Sequence, residues 1–231
     1  MLKGRKKISQ REIKKDKLVT AYFGSREWIS REENKKRICT VVGIIAVLAV
    51  AAFFYINNKK AKNEAAETQI SGVIGFYEAG RYQEALSGDS SSTTPGFLSI
   101  IDNYGGTESS ETAKFYAANC YFNLKDYENA MKFFEDYSGK NDMLKASCFS
   151  GIGAVYEVKG DLKRAAEFFE KAAKVNKDLI INQENIYYSI RSYTQAGDKE
   201  NARRMYQMLK SEYPKSKYIS ETKRFEPEFR N

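Results

Sequence analysis

The chain has 231 residues, with 38 Lys and Arg against 30 Asp and Glu and no histidine. Lack of imidazole excludes Ser-His and Cys-His nucleophile pairs, histidine-based proton transfer and every zinc site that needs a histidine ligand. Only three prolines and 15 glycines interrupt a chain rich in Ala, Lys, Glu and aromatic residues, which predicts an all-α fold.

In chain order, residues 1–37 form a basic tail. They hold 13 Lys and Arg (Lys3, Arg5, Lys6, Lys7, Arg11, Lys14, Lys15, Lys17, Arg26, Arg31, Lys35, Lys36, Arg37) against five acids (Glu12, Asp16, Glu27, Glu32, Glu33). That excess of eight equals the formal net charge of the whole chain, +8, so the remainder is balanced. The pI of about 9.2 therefore describes a tail, and a nucleic-acid partner is not expected. Leu18, Val19, Tyr22 and Phe23 share one helical face, so the tail reads either as a helix on anionic lipid or as a solvated basic segment.

Ile38 to Ile56 follows, 19 residues without a charge. As a helix it spans about 28 Å, close to a bilayer's hydrocarbon thickness of about 30 Å. Phe53, Phe54 and Tyr55 stand near its far boundary, where aromatic rings favour the interface. A cleaved signal peptide is the competing reading, since Ala49-Val50-Ala51 has a small-x-small form. The long preceding tail and the apolar run beyond Ala51 favour an uncleaved membrane anchor. Arg26, Arg31, Lys35, Lys36 and Arg37 flank the span on one side, Lys59, Lys60 and Lys62 on the other. This bias predicts a cytoplasmic N-terminus with the bulk of the chain across the membrane.

A linker is expected over 57–66, then a repeat domain over 67–225 and a tail over 226–231. The third unit reads Phe149-x2-Ile152-Gly153-x2-Tyr156-x3-Gly160-x-Leu162-x2-Ala165-x3-Phe169-x2-Ala172. Ala118, Tyr121, Tyr127, Ala130 and Phe134 mark the second; Tyr193, Gly197, Ala202, Tyr206 and Leu209 mark the fourth. Phe76, Gly80, Tyr82 and Ala85 mark a degenerate first. Tyr121, Tyr156 and Tyr193 lie 35 and 37 residues apart; the longer step from Phe76 to Tyr121 accommodates an insertion at 87–106. That insertion reads as a loop followed by a short helix from Phe97 to Ile101. Lys217 to Phe225 reads as a capping helix ended by Pro227. Gly160 supplies a left-handed turn, Lys125 takes that place in the second unit at a cost of about 1 kcal/mol, and Asp161 and Asp198 cap the helices that follow.

No catalytic constellation, metal site or cofactor motif is present, and the chain is not expected to be an enzyme. Cys120 and Cys148 fall in successive repeats at non-equivalent positions, about 10 Å apart if the helices face each other, and are expected to be free and buried.

The repeat spacing resembles the tetratricopeptide repeat, a helix–turn–helix unit of about 34 residues. Beyond the transmembrane helix read from Ile38–Ile56, the resemblance implies a right-handed helical solenoid of about four helix pairs. It also implies a concave groove lined by Phe115, Asn119, Phe122, Ser150, Ala154, Glu157, Tyr187, Arg191 and Thr194. The chaperone-binding subfamily reads a peptide carboxylate with cations at such places. Phe115, Ser150 and Tyr187 stand there instead, so the groove is expected to be aromatic, with Arg191 as its one cation, and suited to an apolar segment. The layout is similar to that of bacterial inner-membrane tetratricopeptide proteins that accompany the Sec translocon. This implies a protein partner (an exported client, a translocon subunit or a periplasmic chaperone) and a periplasmic repeat domain anchored through Ile38–Ile56, with homo-oligomerisation left open. A structural adaptor for an envelope complex, or a cytosol-facing receptor in reversed topology, are the alternatives.

Overall fold

The computed structural model describes residues 17–89 and 94–229, with side chains from Thr20 onward. Residues 1–16 of the basic tail, the Leu18 and Val19 side chains and Ser90 to Thr93 of the insertion lie outside the described residues. The chain divides into two compact units, one up to Asn58 and one from Lys59. The fold is all-α; the one β feature among the described residues is an isolated bridge between Gly88 and Pro95.

The first unit holds α1 (Lys17–Ser30) and the opening of α2 (Glu32–Glu78). The helix breaks at Arg31, where the Asn34 side-chain amide donates to the Trp28 carbonyl at 2.8 Å and spans the break. Glu32 and Glu33 then favour the positive end of the new helix. Tyr22 and Phe23 of α1 are exposed, in edge-on contact at 5.6 Å. Within α2, the stretch from Ile38 to Ile56 has the length and composition to cross a membrane, and none of its most apolar window is buried.

The expected linker at 57–66 is instead helical, because α2 runs without interruption for 47 residues. Asn57, Asn58, Lys59 and Lys60 end the apolar run, but none of them is a helix breaker. Past Lys59 the helix belongs to the second unit, where Ala66, Ile70 and Val73 are buried. Asn63 accepts from the Ser109 backbone amide at 2.9 Å, and Gln69 donates to the Tyr104 hydroxyl at 2.9 Å.

The second unit continues with α3 (Tyr82–Ser87), α4 (Phe97–Asn103), α5 (Glu108–Asn123), α6 (Tyr127–Glu135), α7 (Asp142–Val158), α8 (Leu162–Ala173), α9 (Asn182–Gln195) and α10 (Lys199–Glu212). Four turns repeat one hydrogen-bond pattern. The amides of Arg81, Asp126, Asp161 and Asp198 reach back to the carbonyls of Phe76, Tyr121, Tyr156 and Tyr193, each at 2.9 Å. The preceding residue in each turn, Gly80, Lys125, Gly160 or Gly197, is left-handed, with φ between 63° and 80°. This double return closes each helix and satisfies its last carbonyls. In three turns the aspartate then caps the next helix, accepting from the amides of Asn129, Arg164 and Asn201. Arg81 offers no such acceptor, and α3 spans only six residues.

Core packing follows the repeat phase. A Cβ on Gly153 would lie 3.0 Å from the Phe169 ring and 3.2 Å from the Ala165 carbonyl, so the small residues mark the crossing of α7 and α8. A Cβ on Gly151 would lie 2.3 Å from the Phe134 ring, so that ring of the second repeat seats on the bare backbone of the third. The expected capping helix is shorter than predicted: α11 (Tyr218–Thr222) ends before Lys223, and α12 (Glu226–Phe229) follows. Pro227 lies within α12 rather than closing the preceding helix, since a first-turn proline forfeits no hydrogen bond. Phe229 is buried against Tyr206, with ring centroids 5.6 Å apart.

Candidate partner-binding groove

The first helices of three successive repeats contribute to a groove of about 260 Å³. Phe115, Asn119 and Phe122 come from α5 at helical spacings of four and three; Ser147, Ser150, Gly151 and Ala154 come from α7 at three, one and three. Ile181, Glu184 and Asn185 enter from the start of α9, and Phe134 of α6 reaches the groove beside Gly151. Phe115 packs edge-on against Tyr116 and Phe122 against Tyr127, so both rings are braced from behind. Asn119 spends one amide hydrogen on the Phe115 carbonyl, at 2.8 Å.

Five of the nine expected groove residues therefore meet in this groove: Phe115, Asn119, Phe122, Ser150 and Ala154. The other four do not line it. Glu157 and Arg191 pair with each other across the third and fourth repeats, one guanidinium nitrogen lying 2.6 and 2.8 Å from the two carboxylate oxygens. Arg191 also stands over the Tyr188 ring at 5.0 Å. It is a neutralised partner in a clasp, not a free cation at the end of a trough. Tyr187 is buried beneath the C-terminal segment. It stacks on Tyr218 at 5.2 Å, and its hydroxyl accepts from Arg224 at 2.6 Å. Thr194 is buried and returns its hydroxyl proton to the Ile190 carbonyl of its own helix.

The lining residues that sequence reading missed carried a usable signal. Ser147 precedes Ser150 by three residues and Glu184 precedes Tyr187 by three, so both lie one turn back on faces already assigned to the groove. The C-terminal cover over Tyr187 comes from the segment expected as a capping helix, but its seat on Tyr187 had no such signal, because it lies outside the repeat phase.

A separate polar cluster ties the third repeat to the fourth on the α8 and α10 side. Burial alone would raise the Glu170 carboxyl, but hydrogen bonds from Arg204, Lys174 and Tyr193 outweigh it and hold the pKa down to about 2. Arg204 binds both carboxylate oxygens, at 2.9 and 2.7 Å, and the Tyr193 hydroxyl donates at 3.0 Å. Cys120 and Cys148 are free and buried, as expected, and burial pushes each thiol up to about 12, which removes thiolate nucleophilicity.

Comparison with protein families matches residues 112–140 and 184–216 to one model described as Tetratricopeptide repeat, and residues 146–179 to a second with the same description. Over these segments the chain is similar to tetratricopeptide repeats. The matched segments fall on the hairpins that build the groove: α5 with α6, α7 with α8, and α9 with α10. Tetratricopeptide repeats are scaffolds for protein–protein interaction and are typically non-catalytic. The hairpin of α2 and α3 keeps the same turn at Gly80 although neither model extends to it. Comparison with curated proteins gives no match.

Proposed function

We propose that this protein is a membrane-anchored scaffold whose tetratricopeptide groove holds an apolar segment of a partner protein. The supporting observation is the convergence of Phe115, Asn119, Phe122, Ser150 and Ala154, from two repeats, on one groove with aromatic sides and a small-residue floor. Half-buried rings beside small residues form the kind of site where a partner's aliphatic side chain gains most from desolvation. We read Ile38–Ile56 as the anchor, the basic flank as cytoplasmic, and the repeat domain as lying across a bacterial inner membrane. There it would serve exported proteins as an ancillary or chaperone-like factor. Support for this reading is the apolar stretch of α2 and its asymmetric Lys and Arg flanks.

Photo-crosslinking amino acids at positions 122 and 163 test the groove in living cells. Lys163 is exposed on α8, away from the groove. Position 122 should trap partner protein and position 163 should not. Crosslinks from 163 alone would move the working surface to the outer helices and remove the groove reading.

A further inference from the structure

The charge of the groove differs from the sequence expectation. Its expected cation, Arg191, is engaged by Glu157. Glu184 is the one ionisable side chain lining the groove. Its carboxylate accepts from the neutral Tyr188 hydroxyl at 2.8 Å and also meets the Tyr218 hydroxyl of the C-terminal segment, but among the described residues no Lys or Arg lies within ion-pair distance of it. Its place in the first turn of α9 suits the helix dipole, and neither hydroxyl neutralises its charge at the groove wall. Asn185 beside it is 2% exposed, and its amide nitrogen is buried with no acceptor.

From this we infer that the groove selects a partner segment carrying a basic side chain among apolar ones, with the ammonium or guanidinium docked on Glu184. This inference rests on the groove reading above and gives it a chemical class. The apolar part of such a segment fits between Phe115 and Phe122. Its cation answers a carboxylate that no cation of the chain pairs. An acidic or carboxylate-ended segment would meet like charge with no cation to receive it, so it is selected against.

The test uses the full chain in a non-ionic detergent and three fluorescent synthetic peptides of about 15 residues with identical Leu and Phe positions, differing only in carrying Lys, Gln or Glu at the polar positions. The Lys peptide should bind tightest and the Glu peptide weakest, by about tenfold between them at low salt, with the gap narrowing as salt is added. The basic tail at 1–37 would favour the Glu peptide, so that order cannot come from the tail. Glu184→Gln, which keeps an acceptor for Tyr188, should close most of the gap. Ser147→Lys, which places a compensating cation in the groove, should likewise remove the preference for the Lys peptide even if the Glu184 variant folds poorly. Equal affinities in the wild type, or a ranking untouched by both variants, overturns the inference; if Phe122→Ala still abolishes binding, the groove reading survives it. If no peptide binds better to the wild type than to Phe122→Ala, the groove reading fails and the inference goes with it.

Discussion

Lys125 is the one non-glycine residue among the described residues with positive φ, at 63°. Its equivalents in the other three turns are Gly80, Gly160 and Gly197. A side chain in this region costs about 1–2 kcal/mol, and glycine's extra freedom in the unfolded chain returns about half of that. Lys125→Gly should therefore stabilise the repeat domain by about 0.5–1 kcal/mol, seen as a higher midpoint in thermal unfolding; an unchanged or lower midpoint would mean that Lys125 makes a compensating contact. Residue-level features of this kind were legible because a turn leaves a fixed mark on sequence: Tyr156, Gly160 and Asp161 each answer one backbone requirement, and those requirements are local. The state of Arg191 was less legible. Its face could be assigned from spacing, but its charge is decided by Glu157, one repeat earlier, and pairing between two correctly placed residues must be seen in three dimensions.

Between elements, stability comes from small residues at crossings and from polar clasps between neighbouring repeats. Ala165 is fully buried where α8 crosses α7 beside Gly153. Ala165→Leu would force a branched side chain into that contact and should cost about 1–3 kcal/mol, lowering the whole unfolding transition because each repeat is held by its neighbours. Glu170 provides the pH-dependent counterpart. Its folded pKa is held near 2 against an ordinary value of 4.5, so its contribution is complete above about pH 4.5 and is lost as pH falls toward 2. The shift corresponds to at most about 3 kcal/mol. Chemical denaturation at pH 7 and pH 3 should show a loss of stability in the wild type that Glu170→Gln largely removes; equal acid sensitivity in both would place the acid-labile group elsewhere. The hairpins from α5 to α10 were readable from the aromatic phase, since each helix must bury the same face against the next. The linker was misread because a hydrophobic run can end without its helix ending. The cover on Tyr187 was missed because it is supplied by Tyr218, Arg224 and Phe225, which belong to no repeat.

At the scale of the whole molecule, the proposed orientation rests on a count of charges near the apolar stretch. Five cations on the N-terminal flank (Arg26, Arg31, Lys35, Lys36 and Arg37) face three on the other (Lys59, Lys60 and Lys62). Acidic neighbours weigh little in this balance, so the exposed pairs Lys35–Glu32 and Arg31–Glu27 do not cancel the bias. Replacing Lys35, Lys36 and Arg37 with neutral residues leaves two near cations against three, and the more distant basic residues act only weakly across that length. The variant should distribute between both orientations, whereas the native chain should adopt one. Expressed in bacteria and probed with protease added to intact spheroplasts, the native repeat domain should be cut, and a protected fraction should appear only in the variant. Protection of the native domain until the inner membrane is lysed would reverse the topology. The groove would then face the cytosol, and an exported client would no longer be the chemistry it meets.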